Sequence, residues 1–555
     1  MKKIDIRKML FCLVVFCTAL VRFYGAIHNM IPTASEVNFL HAIERMTNTV
    51  SLDTQYYNHP DNIILIVGFI VINLFSLISY GSLCTGTIQQ VMTGDTTAEF
   101  FANHIDTYLQ VSRVTNVCFS LLAIYFIYRI AEEIKENSGL LAALLTAVFP
   151  SYNVWSGCVL SDTAVTAIAA IVIFFAVKYL KDRKRLDLVL TTVFCGVCTA
   201  QKYTAALTCL IVIVLVVSDH IYQHKKAGRF LLDWLKDGIQ LIAVYLISFT
   251  VCAPNVVTNF GRTIQILISE GRPYHQGADG LGFFGNLRFY GDVYWTQMGV
   301  LLTVAALFGV IWVFRNKRYF AIPVLWGVAF GVIISIMKLH WERWGLAIYI
   351  TPIVFGAVGI QALLETLEVS SLKWRKPIRN AIMALLAVVV MCIATDVWLD
   401  MIVKALPDTR YISAKDVTSL DEAVTTDNSY VEWWTPLAPN LDYDVYVDAE
   451  RMNKAEYVMV ASYNYDAKFS SERFSPNVYK ENCDWYRKVF DEGTLIYQIQ
   501  PWIKYKLLRD VTEYGDVIYT VPIVKAFTNI RYIADYYMHP EGKYYGPLIS
   551  IYKMK

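Results

Sequence analysis

Charge is scarce in this chain. Only 17% of its 555 residues are Asp, Glu, Lys or Arg, and 49 basic against 47 acidic side chains leave a net charge of +2. So even a balance gives no electrostatic footprint for nucleic acid. No Walker loop is present, and no GxGxxG follows a strand, so a nucleotide-binding fold is excluded. A cleavable leader is missing too. "MKKIDIRKMLFCLVVFCTALVRFYGAI" starts basic, but its apolar run is long and reaches no small-residue cleavage site, so it reads as a retained span. Nor is there a disulfide framework. Most of the eleven cysteines lie in apolar runs, and Cys483 stands alone in the polar C-terminal third. Cys195 and Cys198 form a CxxC, but inside "TTVFCGVCTA", where helix packing is the better use than metal.

What the chain does have is apolar length. Hydrophobic residues make up 56%, and runs near bilayer length recur through the first 400 residues. They predict spans at 8–26, 112–131, 138–157, 163–180, 187–200, 203–219, 238–256, 294–314, 319–337, 344–364 and 379–398. The basic clusters "MKKIDIRK", "KDRKR", "HKKAGR", "RNKR" and "KWRKPIR" alternate along that series and predict a cytoplasmic N-terminus. The fold class is thus a polytopic α-helical membrane protein of about eleven spans. Residues 1–400 form the membrane domain, and residues 401–555 a small extracytoplasmic α+β domain. The run 62–81 would invert every later loop if it crossed, so charge parity lays it against the outer leaflet or makes it re-enter, packed on protein.

This topology sends a set of polar residues to the outer side. Glu36 opens a short helix after the first span in "IPTASEVNFLHAIERM", where Ser35 can cap and Glu36 can meet the helix dipole. Asp162 in "WSGCVLSDTAVT" is either a helix-start residue or a second outward carboxylate. Two such acids suit general acid–base chemistry. Lys202 interrupts two apolar half-runs, Lys338 and Arg343 sit in "MKLHWERWGLAIYITP", and Arg113 opens the second span. Each could snorkel, but four cations at one interfacial depth suit a phosphate arriving in the bilayer. The glycine- and aromatic-rich loop 259–295 carries His275, and His59 stands in "YYNHPDN". Glu36, His59, Asp162 and His275 are residue types able to hold a divalent metal, although their spacing does not require one.

Residues 139–207, with the outward motifs around them, resemble the GT-C membrane glycosyltransferases, nearest the protein-mannosyltransferase and aminoarabinose-transferase branch. The family's acidic motif after the first span is matched by Glu36, with Ser35 in place of the first acid. Its His-Pro-Pro element is similar to His59 and Pro60, with Asp61 in place of the second proline. Arg22, Arg113, Asp162, Lys202 with Tyr203, His275 and Arg343 also stand where the pattern expects them. The resemblance implies transfer of a sugar from a polyprenyl-phosphate lipid to a saccharide, lipid or protein acceptor on the outer face. It casts Glu36 as general base with Asp162 beside it. Arg113, Lys202, Lys338 and Arg343 would hold the donor phosphate, and His59, Tyr203 and His275 the substrate or acceptor. A transporter or flippase of lipid-linked sugar would share the cations without the chemistry, but the sequence shows no inverted repeat. A lipid-linked oligosaccharide ligase would differ in the size of the donor.

In the C-terminal third, "EYVMVASY" and "TLIYQIQPW" read as strands and "SERFSPNVYKENCDWYRKVFDEG" as loop plus helix. Its tyrosines and "VEWW" suit core packing better than sugar stacking.

Overall fold

The computed structural model describes residues 6–28, 34–55, 57, 60–81, 104–222, 227–270, 282–337, 340–371, 373–417, 424–426, 441–443, 456–472, 476–503 and 522–554. The chain opens with α1 (Ile6–His28), α2 (Ala34–Thr49) and α3 (Asn62–Tyr80). Next come α4 (Ile105–Ile134), α5 (Gly139–Val148), α6 (Pro150–Ser156), α7 (Ser161–Asp182) and α8 (Arg185–Gln201). A 3₁₀ turn, Tyr203–Thr208, leads into α9 (Cys209–Tyr222) and α10 (Ala227–Cys252). The short α11 (Pro254–Thr258) and α12 (Phe260–Glu270) precede the long α13 (Phe283–Val324) and α14 (Trp326–Ile334). A second 3₁₀ segment, Glu342–Tyr349, runs into α15 (Ile350–Val369) and then α16 (Arg375–Lys404).

This is a mostly helical, multi-pass membrane protein. Among the described residues eight helices are long and apolar enough to cross a bilayer, or nine if the bent pair α5–α6 counts as one span. The expected runs lie largely on helix, but 138–157 breaks at Phe149, 187–200 falls on the 17-residue α8, 203–219 and 344–364 begin in 3₁₀ turns, and 319–337 is split between α13 and α14. One difference concerns α3. At 19 residues and high hydropathy it qualifies as a span, where charge parity had laid it against the outer leaflet or made it re-enter. It packs its Ile64, Leu65 and Ile72 into a core shared with α2 and α4.

Two breaks shape the helices around the site. Phe149 precedes Pro150, and the proline ring disfavours α geometry there, so Phe149 is extended and α5 and α6 meet at 63°. In α13, Gly299 adopts φ 79°, ψ 172°, open to glycine because it has no Cβ, and kinks the helix. At the centre stands α7, buried along 89% of its span, which is how a helix apolar on every side must sit. Helices α13 and α15 touch backbone to backbone, and a methyl on Gly309 would run into the Phe355 carbonyl. Small residues permit such close approach between membrane helices.

Beyond α16 the chain forms α17 (Thr409–Val417), α18 (Ser462–Glu472), α19 (Pro476–Glu492) and α20 (Pro522–Met538) around a five-stranded sheet. The strands are β1 (Val424–Thr426), β2 (Leu441–Tyr443), β3 (Tyr457–Ala461), β4 (Thr494–Ile499) and β5 (Ile549–Lys553), in the order β2-β1-β3-β5-β4. β1 runs parallel to β2 and β3, and β5 runs antiparallel to β3 and β4. Helices α18 and α19 cover one face through Phe469, Trp485, Tyr486 and Val489. Cys483 is buried there, and burial followed by the nearby Glu472 pushes its thiol up to about 11. Thr409 donates its N–H to Tyr545 O at 2.7 Å and Tyr545 donates to Pro407 O at 2.9 Å, tying the end of the last membrane helix to the C-terminal strand.

Candidate functional site

Helix α4 presents two residues one turn apart to the break between α6 and α7. Arg113 grips Glu36 with both arms, Nε to Oε1 at 2.8 Å and Nη2 to Oε2 at 3.1 Å. Asn116 donates to the carbonyls of Trp155 and Ser156 at 3.3 Å and also to Cys158 O. The turn they hold sends the Val159 N–H to Glu36 Oε1 at 2.8 Å. Glu36 and Arg113 are both wholly buried. The structure therefore places Arg113 on a carboxylate rather than at an open phosphate site, and Glu36 between an arginine and an amide rather than facing an acceptor. The pairing has one cause: a buried charge is tolerated only when paired and hydrogen-bonded.

Three residues after Val159 comes Asp162, in the first turn of α7. It is not the N-cap, which is Leu160 and makes no side-chain cap. Its carboxylate points to Lys202 Nζ, 2.6 Å from Oδ1, and to Arg343 Nε, 4.0 Å from Oδ2. Lys202 reaches it because the chain is extended between α8 and the 3₁₀ turn, at φ −158°, ψ 130°. It does not snorkel, being only 13% exposed. Lys202 lies 5.1 Å from the centre of the Trp344 ring, and the Arg343 guanidinium 5.2 Å from that of Trp341, so each cation also rests on an indole face. One acid, two cations and two indoles from α7, the α8 junction and the Glu342–Tyr349 segment thus converge.

Beside this group a groove of ≈ 360 Å³ is lined by Tyr203, Leu207, Leu210, Ile333, Ile334 and Met337. Tyr203 forms its rim and donates its hydroxyl to Tyr57 O at 3.3 Å. Arg22 is buried in the bundle, with Nη2 on Thr146 O at 3.3 Å. His59, His275 and Lys338 lie outside the described residues. Asp61 sits at φ 45°, which proline's ring forbids, and this accounts for its standing where the resembled motif has a second proline.

Two polar groups escaped the sequence reading. Glu342 is buried and accepts from Ser151 Oγ and from Gln297 Nε2, the latter at 3.1 Å. Its signal was an acid inside the apolar phrase "HWERW". At the outer end of α16, Lys404 pairs with Asp400 at 2.7 Å, and Asn153 donates to the same carboxylate at 2.9 Å. Here the signal was an acid and a lysine four apart at a span's end. Among the described residues no three His, Cys, Asp or Glu side chains gather as a metal group.

Comparison with known proteins bears on this geometry. Residues 98–257 match the family model described as dolichyl-phosphate-mannose-protein mannosyltransferase. The chain resembles the GT-C membrane glycosyltransferases. The stretch matched to the mannosyltransferase model carries Arg113, Asp162, Lys202 and Tyr203, while Glu36 and Arg343 fall outside it. Solved GT-C structures are also similar. ArnT from Cupriavidus metallidurans in the apo state shares 12% identity over 81% of this chain and 92% of its own, at a TM-score of 0.49. The same protein bound to undecaprenyl phosphate shares 12% over 82% and 94%, at 0.48. The Archaeoglobus fulgidus oligosaccharyltransferase complexed with zinc and sulfate shares 10% over 98% and 88%, at 0.46. No curated protein matches the chain in sequence.

Proposed function

We propose that the chain is an integral-membrane glycosyltransferase that moves a sugar from a polyprenyl-phosphate donor to an acceptor hydroxyl on the extracytoplasmic face. The observation that carries this reading is Asp162 between Lys202 and Arg343, with Tyr203, next to Lys202 in the chain, lining an apolar groove. In the donor-free protein the carboxylate fills a cation site suited to phosphate. When the donor enters, its isoprenoid tail lies in the groove and its phosphate takes over Lys202 and Arg343. Asp162 is thereby released to accept the proton of the acceptor hydroxyl. The oxygen attacks the anomeric carbon, the carbon–oxygen bond to the phosphate breaks, and the polyprenyl phosphate leaves with its charge on the two cations. Attack opposite the leaving group inverts the anomeric configuration.

In this scheme Asp162 is the base, and the Glu36–Arg113 pair fixes the wall from which it projects. That reverses the order of the two carboxylates expected from the acidic motif. Lys338 completes the phosphate grip, while Tyr203, His59 and His275 serve the substrate side. Nucleotide sugars are cytoplasmic, and a site on the side opposite the basic loops needs a donor carried in the membrane. Residues 1–400 do the chemistry, and 401–555 cover it from outside.

Because Asp162 and the phosphate compete for one pair of cations, Asp162→Asn is expected to bind polyprenyl phosphate roughly threefold to tenfold more tightly than wild type, the scale of a partly screened ion pair. Titration of the lipid in nanodiscs measures this. Weaker binding by the variant would mean that the phosphate does not use Lys202 and Arg343.

A further inference from the structure

Helix α20 buries Ala526 and Ile533 but also turns polar residues inward and large apolar ones outward, with Arg531 the exposed charge on that outward side. Its polar residues Lys525 and Asn529 face inward and are 9% and 4% exposed, whereas Phe527 and Ile530 face outward at 73% and 53%. Ile523, Val524, Tyr537 and Met538 extend the outward apolar face. A helix in water arranges these residues the other way round. The inward polar groups are matched by the last membrane helix. Lys525 Nζ lies 3.0 Å from Asp396 Oδ2, and Asn529 donates to Thr395 Oγ1 at 3.0 Å and to Asp396 Oδ1. Asp396 falls within the apolar run 379–398, where an acid needs such a partner.

Position along the neighbouring helices gives the depth. A Cβ on Gly299 would come within 2.8 Å of Pro522 Cγ, so α20 begins against the kink of α13. Gly299 is five residues inside the expected span 294–314, which at the helical rise is about 7.5 Å from that span's start. At the other end Tyr537 meets Trp398, with ring centres 6.4 Å apart, an aromatic pair suited to the headgroup level. The exposed residues of α16 include Met383, Val388, Met391 and Trp398, and Trp398 is where that face meets α20.

We propose that α20 is a membrane-seated helix whose outward face, from Ile523 through Phe527 and Ile530 to Tyr537, lies in the acyl region of the leaflet beside the C-terminal domain. The domain thus returns to the bilayer as well as hanging from α16. Its Lys525–Asp396 pair closes the seam between the returning helix and the last span, while lipid covers the remainder. This surface is separate from the transfer site and stands without it.

Photo-crosslinking of the full chain in nanodiscs containing tritiated phosphatidylcholine and phosphatidylglycerol tests this. p-Benzoylphenylalanine is placed singly at Phe527, Ile530 and Tyr537, with Met391 on the exposed face of α16 as positive control and Glu481 on the exposed face of α19 as negative control. All three positions on α20 are exposed, so the fold tolerates the replacement. Lipid labelling at Phe527 and Ile530 is expected within about twofold of Met391 and at least about fivefold above Glu481, as for a helix buried to the acyl boundary. Labelling at the Glu481 level overturns the proposal. So does a crosslinked dimer in place of lipid, which would make the face a contact between copies of the chain.

Discussion

Glu36 and Arg113 meet with two matched hydrogen bonds and no solvent, and this fixes what each can be asked to do. Arg113→Leu leaves a carboxylate buried without its counter-charge, a change that costs about 3–5 kcal/mol. A fall in the thermal midpoint of the detergent-solubilised protein is expected, partly restored when Glu36→Leu is added. An unchanged midpoint for the single variant would contradict the structural role of the pair. The two acids and the outer cations were visible in the sequence because charges stand out against apolar runs. Which acid pairs with which cation was not visible, since the partners lie 40 and 77 residues apart and come from different helices. Glu342 shows the opposite failure: an acid beside a more conspicuous arginine was overlooked.

Helix packing explains the breaks and close approaches that bring these residues together. Pro150 and Gly299 mark both major bends and could be read in advance, although 138–157 reads as one straight span if the proline is ignored. The contact of α13 with α15 depends on Gly309 having no side chain. Gly309→Ala forces the helices apart and is expected to cost about 1–3 kcal/mol, the usual range for overpacking. Thermal unfolding of this variant measures the effect, with Gly238→Ala, inside α10 where a Cβ meets nothing within 4 Å, as the comparison that carries only the helix-propensity gain. Equal midpoints for the two would show that the close approach is dispensable. The strands β3 and β4 and the helix α19 fall where alternation and turn residues predict them. α20 was missed because its apolar residues suit a soluble helix equally well until its inward partners are known.

For the whole molecule, the basic loops predict that the N-terminus and the 315–318 segment share one side of the membrane and the C-terminal domain lies on the other. An alkaline phosphatase fused after residue 555 should be active outside the cell, and one fused at Arg315 should be silent. The reverse pattern would move the transfer site to the wrong face for a lipid-borne donor. The status of α3 bears on the same point, because a run of apolar residues has the same composition lying on a membrane as crossing it.

The most direct test of the account is donor turnover by the purified protein in nanodiscs, using a panel of radiolabelled polyprenyl-phosphate sugars with an envelope extract as acceptor. Wild type is expected to consume one donor, and Asp162→Asn to bind that donor while kcat falls by about 10²–10⁴, the usual contribution of a positioned base. If Asp162→Asn turns over like wild type, or if wild type binds lipid-linked sugar and never consumes it, the account is wrong. The first result would return the base to Glu36, and the second would make the protein a carrier of lipid-linked sugar.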